Sequence, residues 1–129
     1  MPNDIAKLRR IMRAANYLKK QNPVVLRGNA IGNSRALKYA WWFEDFRAKL
    51  RTGTYRFSYL KKDGSIREAV GTLNMDIIPA EHHPKSGMEQ VALAPTNTFC
   101  YYDLYANGDT GGWRSFCLDL FIGFVEQVA

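Results

Sequence analysis

The 129-residue sequence predicts an α+β fold, with two N-terminal helices followed by a small antiparallel β-barrel. Three observations carry that expectation. In residues 54–60, Tyr55, Phe57 and Tyr59 alternate with Arg56 and Ser58, the period of two of a strand with one covered face. Asp63-Gly64 follows as a turn-forming pair, and the chain returns through Ile66 to Leu73. Before residue 52 the apolar side chains recur instead at three- and four-residue spacing, the period of a helix. The expected division is a basic helical segment over 1–51 and a barrel over 52–129.

In chain order, Asp4 to Gln21 reads as the first helix. Ile5, Leu8, Ile11 or Met12, Ala15 and Leu18 form one apolar stripe, and Asn3 or Asp4 caps its start. Lys7, Arg9, Arg10, Arg13 and Lys20 lie off that stripe and make the densest basic surface in the sequence. The modest apolar side chains favour docking on the protein itself over a membrane surface. Asn22-Pro23 ends the helix, and residues 24–33 connect. Gly28-Asn29-Ala30-Ile31-Gly32 lacks the spacing of a phosphate loop.

Ser34 caps the second helix, Arg35 to Arg51. Ala36, Ala40, Phe43, Phe46 or Arg47, and Leu50 share one side, and Leu37, Tyr39, Trp41, Trp42 and Ala48 extend the apolar surface around most of its girth. Such a helix packs on more than one side or covers a groove.

Thr52-Gly53 breaks the helix and starts the hairpin. Gly71 marks a bend or a close approach. Residues 74–79 are expected to be extended, and 80–96 to be a long loop with strand character at Gln90 to Leu93. Asn97 to Leu104 reads as a strand with Phe99 and Tyr101 on one face. Asn107-Gly108 and Gly111-Gly112 make the next turn. Trp113 to Ile122 reads as the last strand, with Phe116, Leu118, Leu120 and Ile122 on its apolar face, and 124–129 as a short tail with one helical turn. A barrel this small fills its interior with its own side chains, leaving an outer face, a rim or the groove beside the helices for binding.

The net charge of +6 is uneven. Residues 1–51 carry 12 Lys or Arg against 3 Asp or Glu; residues 52–129 carry 6 against 9. The basic end suits a polyanion, or simply a solvated face. No apolar run reaches the roughly 20 residues that cross a bilayer. Met1-Pro2-Asn3-Asp4 is not the start of a signal peptide, so a cytoplasmic location is expected. Cys100 and Cys117 are expected as thiols, being too few for a disulfide scaffold.

Among candidate site residues, Arg67, Arg114 and Asp103 have two readings. One pairs the arginines with Asp103 or Glu68 across strands, fixing register. The other has them gripping a phosphate, with Trp113 or Tyr101 as a stacking platform. Lys61 and Lys62 at the hairpin tip either touch a phosphate backbone in the same reading or simply make a soluble edge. His82-His83 with Cys100 and Cys117 does not have the paired spacing of a zinc module, and neither metal nor cofactor is expected. No nucleophile-and-base signature stands out, which favours a non-enzymatic protein.

Two blocks resemble a known family. Phe57 to Thr72 resembles its F-x-Y-x-K-x-D-G-x-x-R-x-A-x-G-T block. Tyr101-Tyr102-Asp103-Leu104, followed after a turn by Trp113-Arg114-Ser115-Phe116, resembles its Y-x-D and W-R-S-F block. This is the WYL-like family with an Sm-like SH3 β-barrel, frequent in gut Bacteroidales, their mobile elements and phages. The resemblance implies an SH3/Sm-like barrel and no reaction. Its relatives by name, WYL domains and Sm-like barrels, bind nucleic acids or nucleotide-like ligands. The resulting expectation is a phage or mobile-element accessory protein that contacts nucleic acid or a nucleotide. Lys7, Arg10 and Arg13 would supply attraction, and Arg67, Tyr101, Trp113 and Arg114 the closer contacts. The alternative is a protein-interaction role, as a counter-defence inhibitor or virion component. There Trp41, Trp42 and Phe43 would dock on a protein partner or a second copy.

Overall fold

The computed structural model describes residues 3–20, 33–84 and 98–128. Two helices, α1 (Asn3–Lys20) and α2 (Asn33–Leu50), precede a five-stranded antiparallel sheet. Its strands are β1 (Thr54–Leu60), β2 (Ile66–Thr72), β3 (Thr98–Asp103), β4 (Gly112–Cys117) and β5 (Phe121–Val128), in the spatial order β4-β3-β2-β1-β5.

The buried face of α1 is narrower than its apolar stripe. Ile11, Ala14, Ala15 and Leu18 are buried, but Ile5, Leu8 and Met12 are exposed. The expected docking of the whole stripe is therefore corrected: only the second half of the helix, with small alanines, approaches closely. On α2, Ala36, Ala40, Phe43, Phe46 and Leu50 are buried, the side that helical spacing assigns. The end of α2 is tied to the sheet. Leu73 N–H donates to the Leu50 carbonyl (2.8 Å), and the fully buried Thr72 hydroxyl sits 2.8 Å from Gly53 O and 3.2 Å from Leu50 O. The bonds to Leu50 O satisfy a carbonyl that a helix terminus otherwise leaves without a partner.

β1 and β2 pair from Thr54↔Thr72 to Leu60↔Ile66. The connection is a three-residue loop, closed by Lys61 N–H to Ser65 O (2.8 Å) with Gly64 at φ 90°. Asp63 accepts Ser65 N–H (2.9 Å) and its hydroxyl (2.6 Å), so it works as a side-chain acceptor. Gly71 faces two rings: a Cβ there would lie 2.6 Å from Tyr101 and 3.1 Å from Phe57. The close approach is by side chains of the core.

Three expectations on the later chain are corrected. Residues 74–79 turn instead of extending, since Ile77 and Ile78 N–H both reach Asn74 O, and Ile78 alone of the two isoleucines is buried. Trp113 to Ile122 is not one strand. A 3₁₀ turn, Leu118–Leu120, separates β4 from β5, because the chain must leave β3 at one edge and join β1 at the other. The expected tail belongs to β5, which pairs with β1 as far as Val128. The strand expected at Gln90 to Leu93 lies outside the described residues.

The core is continuous across helices and sheet and does not divide at residue 51. Phe46 of α2 stacks on Phe99 (5.3 Å, 22°) and meets Phe57 edge-on (5.2 Å, 87°). Phe116 stacks on Tyr59 (4.8 Å), Phe99 (5.2 Å) and Phe121 (5.5 Å). The interior is thus filled by side chains of the sheet together with those of α2. Phe46→Ala should lower stability by about 3–5 kcal/mol in chemical denaturation. A loss below about 1 kcal/mol would show that helix and sheet do not share this core.

Candidate functional site

β2 and β3 pair at only two positions, Gly71↔Asp103 and Thr72↔Tyr102. Beyond those pairs the β1–β2 and β3–β4 hairpins meet through core side chains such as Tyr59, Tyr101 and Phe116, and a cleft of about 310 Å³ has lining from both. The first hairpin supplies Lys61, Lys62 and Arg67, and the second supplies Trp113, Arg114 and Ser115. No described lining residue is acidic.

Behind the arginines lies Asp103, 4% exposed. Its Oδ2 is 3.8 Å from Arg67 Nη1 and 4.0 Å from Arg114 Nε, while its Oδ1 accepts Tyr105 N–H at 2.9 Å. The carboxylate therefore faces both arginines as a counter-charge at longer than hydrogen-bond range. Register explains the meeting: Tyr101↔Arg114 and Asp103↔Gly112 on β3–β4, and Gly71↔Asp103 on β2–β3. Arg114 Nε is buried without a hydrogen-bond acceptor among the described residues. Arg47 Nε shares that condition, but its guanidinium lies over the Phe99 ring (4.8 Å) in the core.

Tyr101 is fully buried, so the expectation of a stacking platform there is corrected. Its hydroxyl meets that of Tyr59 at 2.7 Å. Burial, the Tyr59 hydrogen bond and the charge of Asp103 hold the Tyr101 phenol far above its ordinary value, against an opposing pull from Arg67. Trp113 is partly exposed and lines the cleft. Its Nε1–H donates to His82 O (2.7 Å), and its ring meets that of Tyr102 edge-on (5.6 Å). The two histidines serve different partners: His82 Nδ1 bonds the Tyr102 hydroxyl (2.5 Å), and His83 Nε2 the carbonyls of Met75 and Ile78 (3.0 and 2.8 Å).

The basic residues of α1 lie outside the cleft lining. Arg10 Nη2 donates to Glu44 Oε1 (2.7 Å), Arg47 Nη1 donates to Glu44 Oε2 (2.5 Å), and Lys7 Nζ sits over the Trp41 ring (5.2 Å). Arg13 is exposed. Burial alone would raise the Glu44 carboxyl. The Arg10 hydrogen bond and the charges of Arg47, Arg10 and Lys7 outweigh it and hold the group below its ordinary value of 4.5. Of the aromatic trio on α2, Phe43 is buried and offers no surface, whereas Trp41 and Trp42 are 40% and 37% exposed. Trp42 packs on Phe46 and Phe121 and borders a second groove with Asp45, Lys49, Tyr55 and Val125.

A family model described as WYL_2, Sm-like SH3 beta-barrel fold, matches residues 43–122. The chain belongs to the WYL_2 family. Both resembling blocks, the hairpin loop and every described residue lining the cleft fall inside the WYL_2 match, whereas α1 and most of β5 lie beyond it. No curated protein and no solved structure matches the chain. Among the described residues, no helix is long and apolar enough to cross a membrane.

Lys61 and Lys62 line the cleft with the two arginines, whereas the sequence placed them at a hairpin tip without showing that Arg67 and Arg114 lie beside them. Alternation shows which strand face a residue takes, but not that two hairpins part company beside it. Asp103→Asn keeps an acceptor for Tyr105 N–H while removing the charge that faces both arginines. Urea denaturation should show a loss of about 1–3 kcal/mol; unchanged stability would remove Asp103 as their anchor. Glu44 has a depressed folded value. Its contribution to stability is complete above pH 4.5 and is lost as pH falls through the lower folded value. Glu44→Gln should therefore be less stable at neutral pH and lose less stability on acidification than the parent, read by thermal unfolding along a pH series.

Proposed function

We propose that this WYL_2 chain is a non-enzymatic binding module that holds a nucleic acid or nucleotide by its phosphate in the cleft between the two hairpins. The observation that carries the reading is the convergence of Lys61, Lys62, Arg67 and Arg114 on one cleft with no acidic residue in its described lining. Arginine presents a planar fork of donors that matches phosphate oxygens, and lysine adds a mobile point charge. Trp113 stands beside them as the accessible aromatic side chain. The family setting suggests an accessory protein of a phage or mobile element, acting in the cytoplasm.

Arg13, exposed on α1, contributes long-range attraction in this reading. Lys7 and Arg10 contribute less than their charge suggests, because Trp41 and Glu44 already engage them. The reading as a protein-interaction module has one observation in its favour, the part-exposed Trp42 beside its groove of about 560 Å³. Binding there would tolerate salt and would be lost on Trp42→Ala.

Titration of a labelled single-stranded oligonucleotide across a salt series tests the phosphate reading. The logarithm of affinity should fall linearly with that of salt, and Arg67→Gln and Arg114→Gln should each reduce the slope by about 0.7. A flat salt response, or slopes unchanged by both variants, would overturn it.

A further inference from the structure

We infer that the cleft selects a phosphomonoester, the end group of a single nucleotide or of a strand terminus, over the continuous phosphodiester backbone of a nucleic acid. The inference rests on the phosphate reading of the cleft given above. Three features of the cleft carry it further.

The first is an excess of donors. Four cationic side chains line the cleft, and Asp103 is the carboxylate behind them. Asp103 spends Oδ1 on Tyr105 N–H and leaves Oδ2 at 3.8 and 4.0 Å from the two guanidinium groups. Both separations exceed the roughly 2.7–3.2 Å of a hydrogen bond. Arg114 Nε is buried with no acceptor among the described residues. That nitrogen faces Asp103, while the Arg114 side chain as a whole is 36% exposed, so a ligand oxygen meets the outer nitrogens of the fork. A phosphomonoester brings about two charges and three strong acceptor oxygens to one point, with its second ionisation near pH 6. A backbone phosphodiester brings one charge and two free oxygens.

The second is size. At about 310 Å³, the cleft stands at the small end of the roughly 300–1,000 Å³ typical of ligand pockets. It has room for a nucleotide-sized group. The third is the lack of a track. Proteins that follow a single strand combine a long basic groove with successive stacking aromatics. Here Tyr59 and Phe116, the other aromatics of the lining, are buried, leaving Trp113 as the accessible one. Lys7 and Arg10 of α1 are engaged between the helices and do not prolong the cleft.

Calorimetric titrations of the full chain would use a nucleoside monophosphate, the matching nucleoside, and a short oligonucleotide with and without a 5′-phosphate. Removing the terminal phosphate should weaken binding at least about tenfold. Affinity for the phosphorylated ligands should fall as pH drops below about 6, where the monoester becomes a monoanion. Arg114→Gln should erase the preference, and Arg114→Lys should not restore it, because an ammonium lacks the planar fork that engages two phosphate oxygens at once. Equal affinity for the mononucleotide and the phosphorylated strand assigns the site to free nucleotides. Tighter binding of the strand assigns it to strand ends, and either result supports the inference.

If the unphosphorylated oligonucleotide binds as well as the phosphorylated one, and Arg67→Gln and Arg114→Gln still weaken both, the inference fails while the cleft remains a phosphate site. If no ligand binds, or binding ignores every cleft variant, both readings fail. Should Arg114→Gln not fold, the Lys61→Ala/Lys62→Ala pair at the exposed hairpin loop takes its place. It should weaken the phosphorylated ligands selectively, and an equal effect on both forms overturns the inference.

Discussion

The insertion of Phe46 from α2 into the face of the sheet is the contact on which the remaining architecture depends. Its ring stacks on Phe99 and stands edge-on to Phe57, bringing β1, β3 and α2 to one point. A five-stranded sheet whose edge strands β4 and β5 belong to different hydrogen-bonded neighbours would otherwise leave apolar area open to water. Aromatic rings carry large buried area and prefer offset or edge-on contacts, so a few of them close such a space without a ladder between the edges. The clip of Thr72 and Leu73 on the Leu50 carbonyl at the end of α2 then holds the helix in that position.

That packing determines where a ligand can be met. With the interior filled, concave polar surface is left at seams, and the seam between the hairpins holds a cleft where β2 and β3 share only two register pairs. Gly71 sits at this short junction and lets the Tyr101 ring lie close to it. Asp103 is buried at the same junction and faces Arg67 and Arg114 together. One carboxylate thus orients two arginines while neutralising at most one of their charges. The structural and functional readings of these residues are compatible: a counter-ion that holds the guanidinium groups without hydrogen bonding them leaves their donors for an oxyanion.

The basic surface of α1 has a different fate from its composition. Arg10 and Lys7 are drawn toward α2, where Glu44 and Trp41 receive them, and Arg47 joins the same carboxylate. Helical spacing placed these cations off the apolar stripe, on a face open to solvent or to a polyanion. Long side chains reach across to a neighbouring helix whenever it offers a partner, and that partner lies more than 30 residues away in sequence. The exposed Ile5, Leu8 and Met12 make the complementary point: a stripe of the right period is buried only where another element has room to approach.

What the sequence alone determined follows from local periodicity and turn chemistry. It includes both helices, the aromatic ladder of β1, the β1–β2 hairpin, β3 with Phe99 and Tyr101 on one face, and the family blocks. These features need only a few neighbouring residues to be specified. Tertiary structure decided the rest. It broke the stretch from Trp113 to Ile122 with a 3₁₀ turn so that Phe121 could open a strand beside β1, and it made strand of the expected tail. It also buried Tyr101 beyond reach of any ligand and put Lys61 and Lys62 in one cleft with Arg67 and Arg114. The physical reason is that pairing partners and solvent access are properties of contacts distant in the chain, and alternation is the same whichever strand comes to lie alongside.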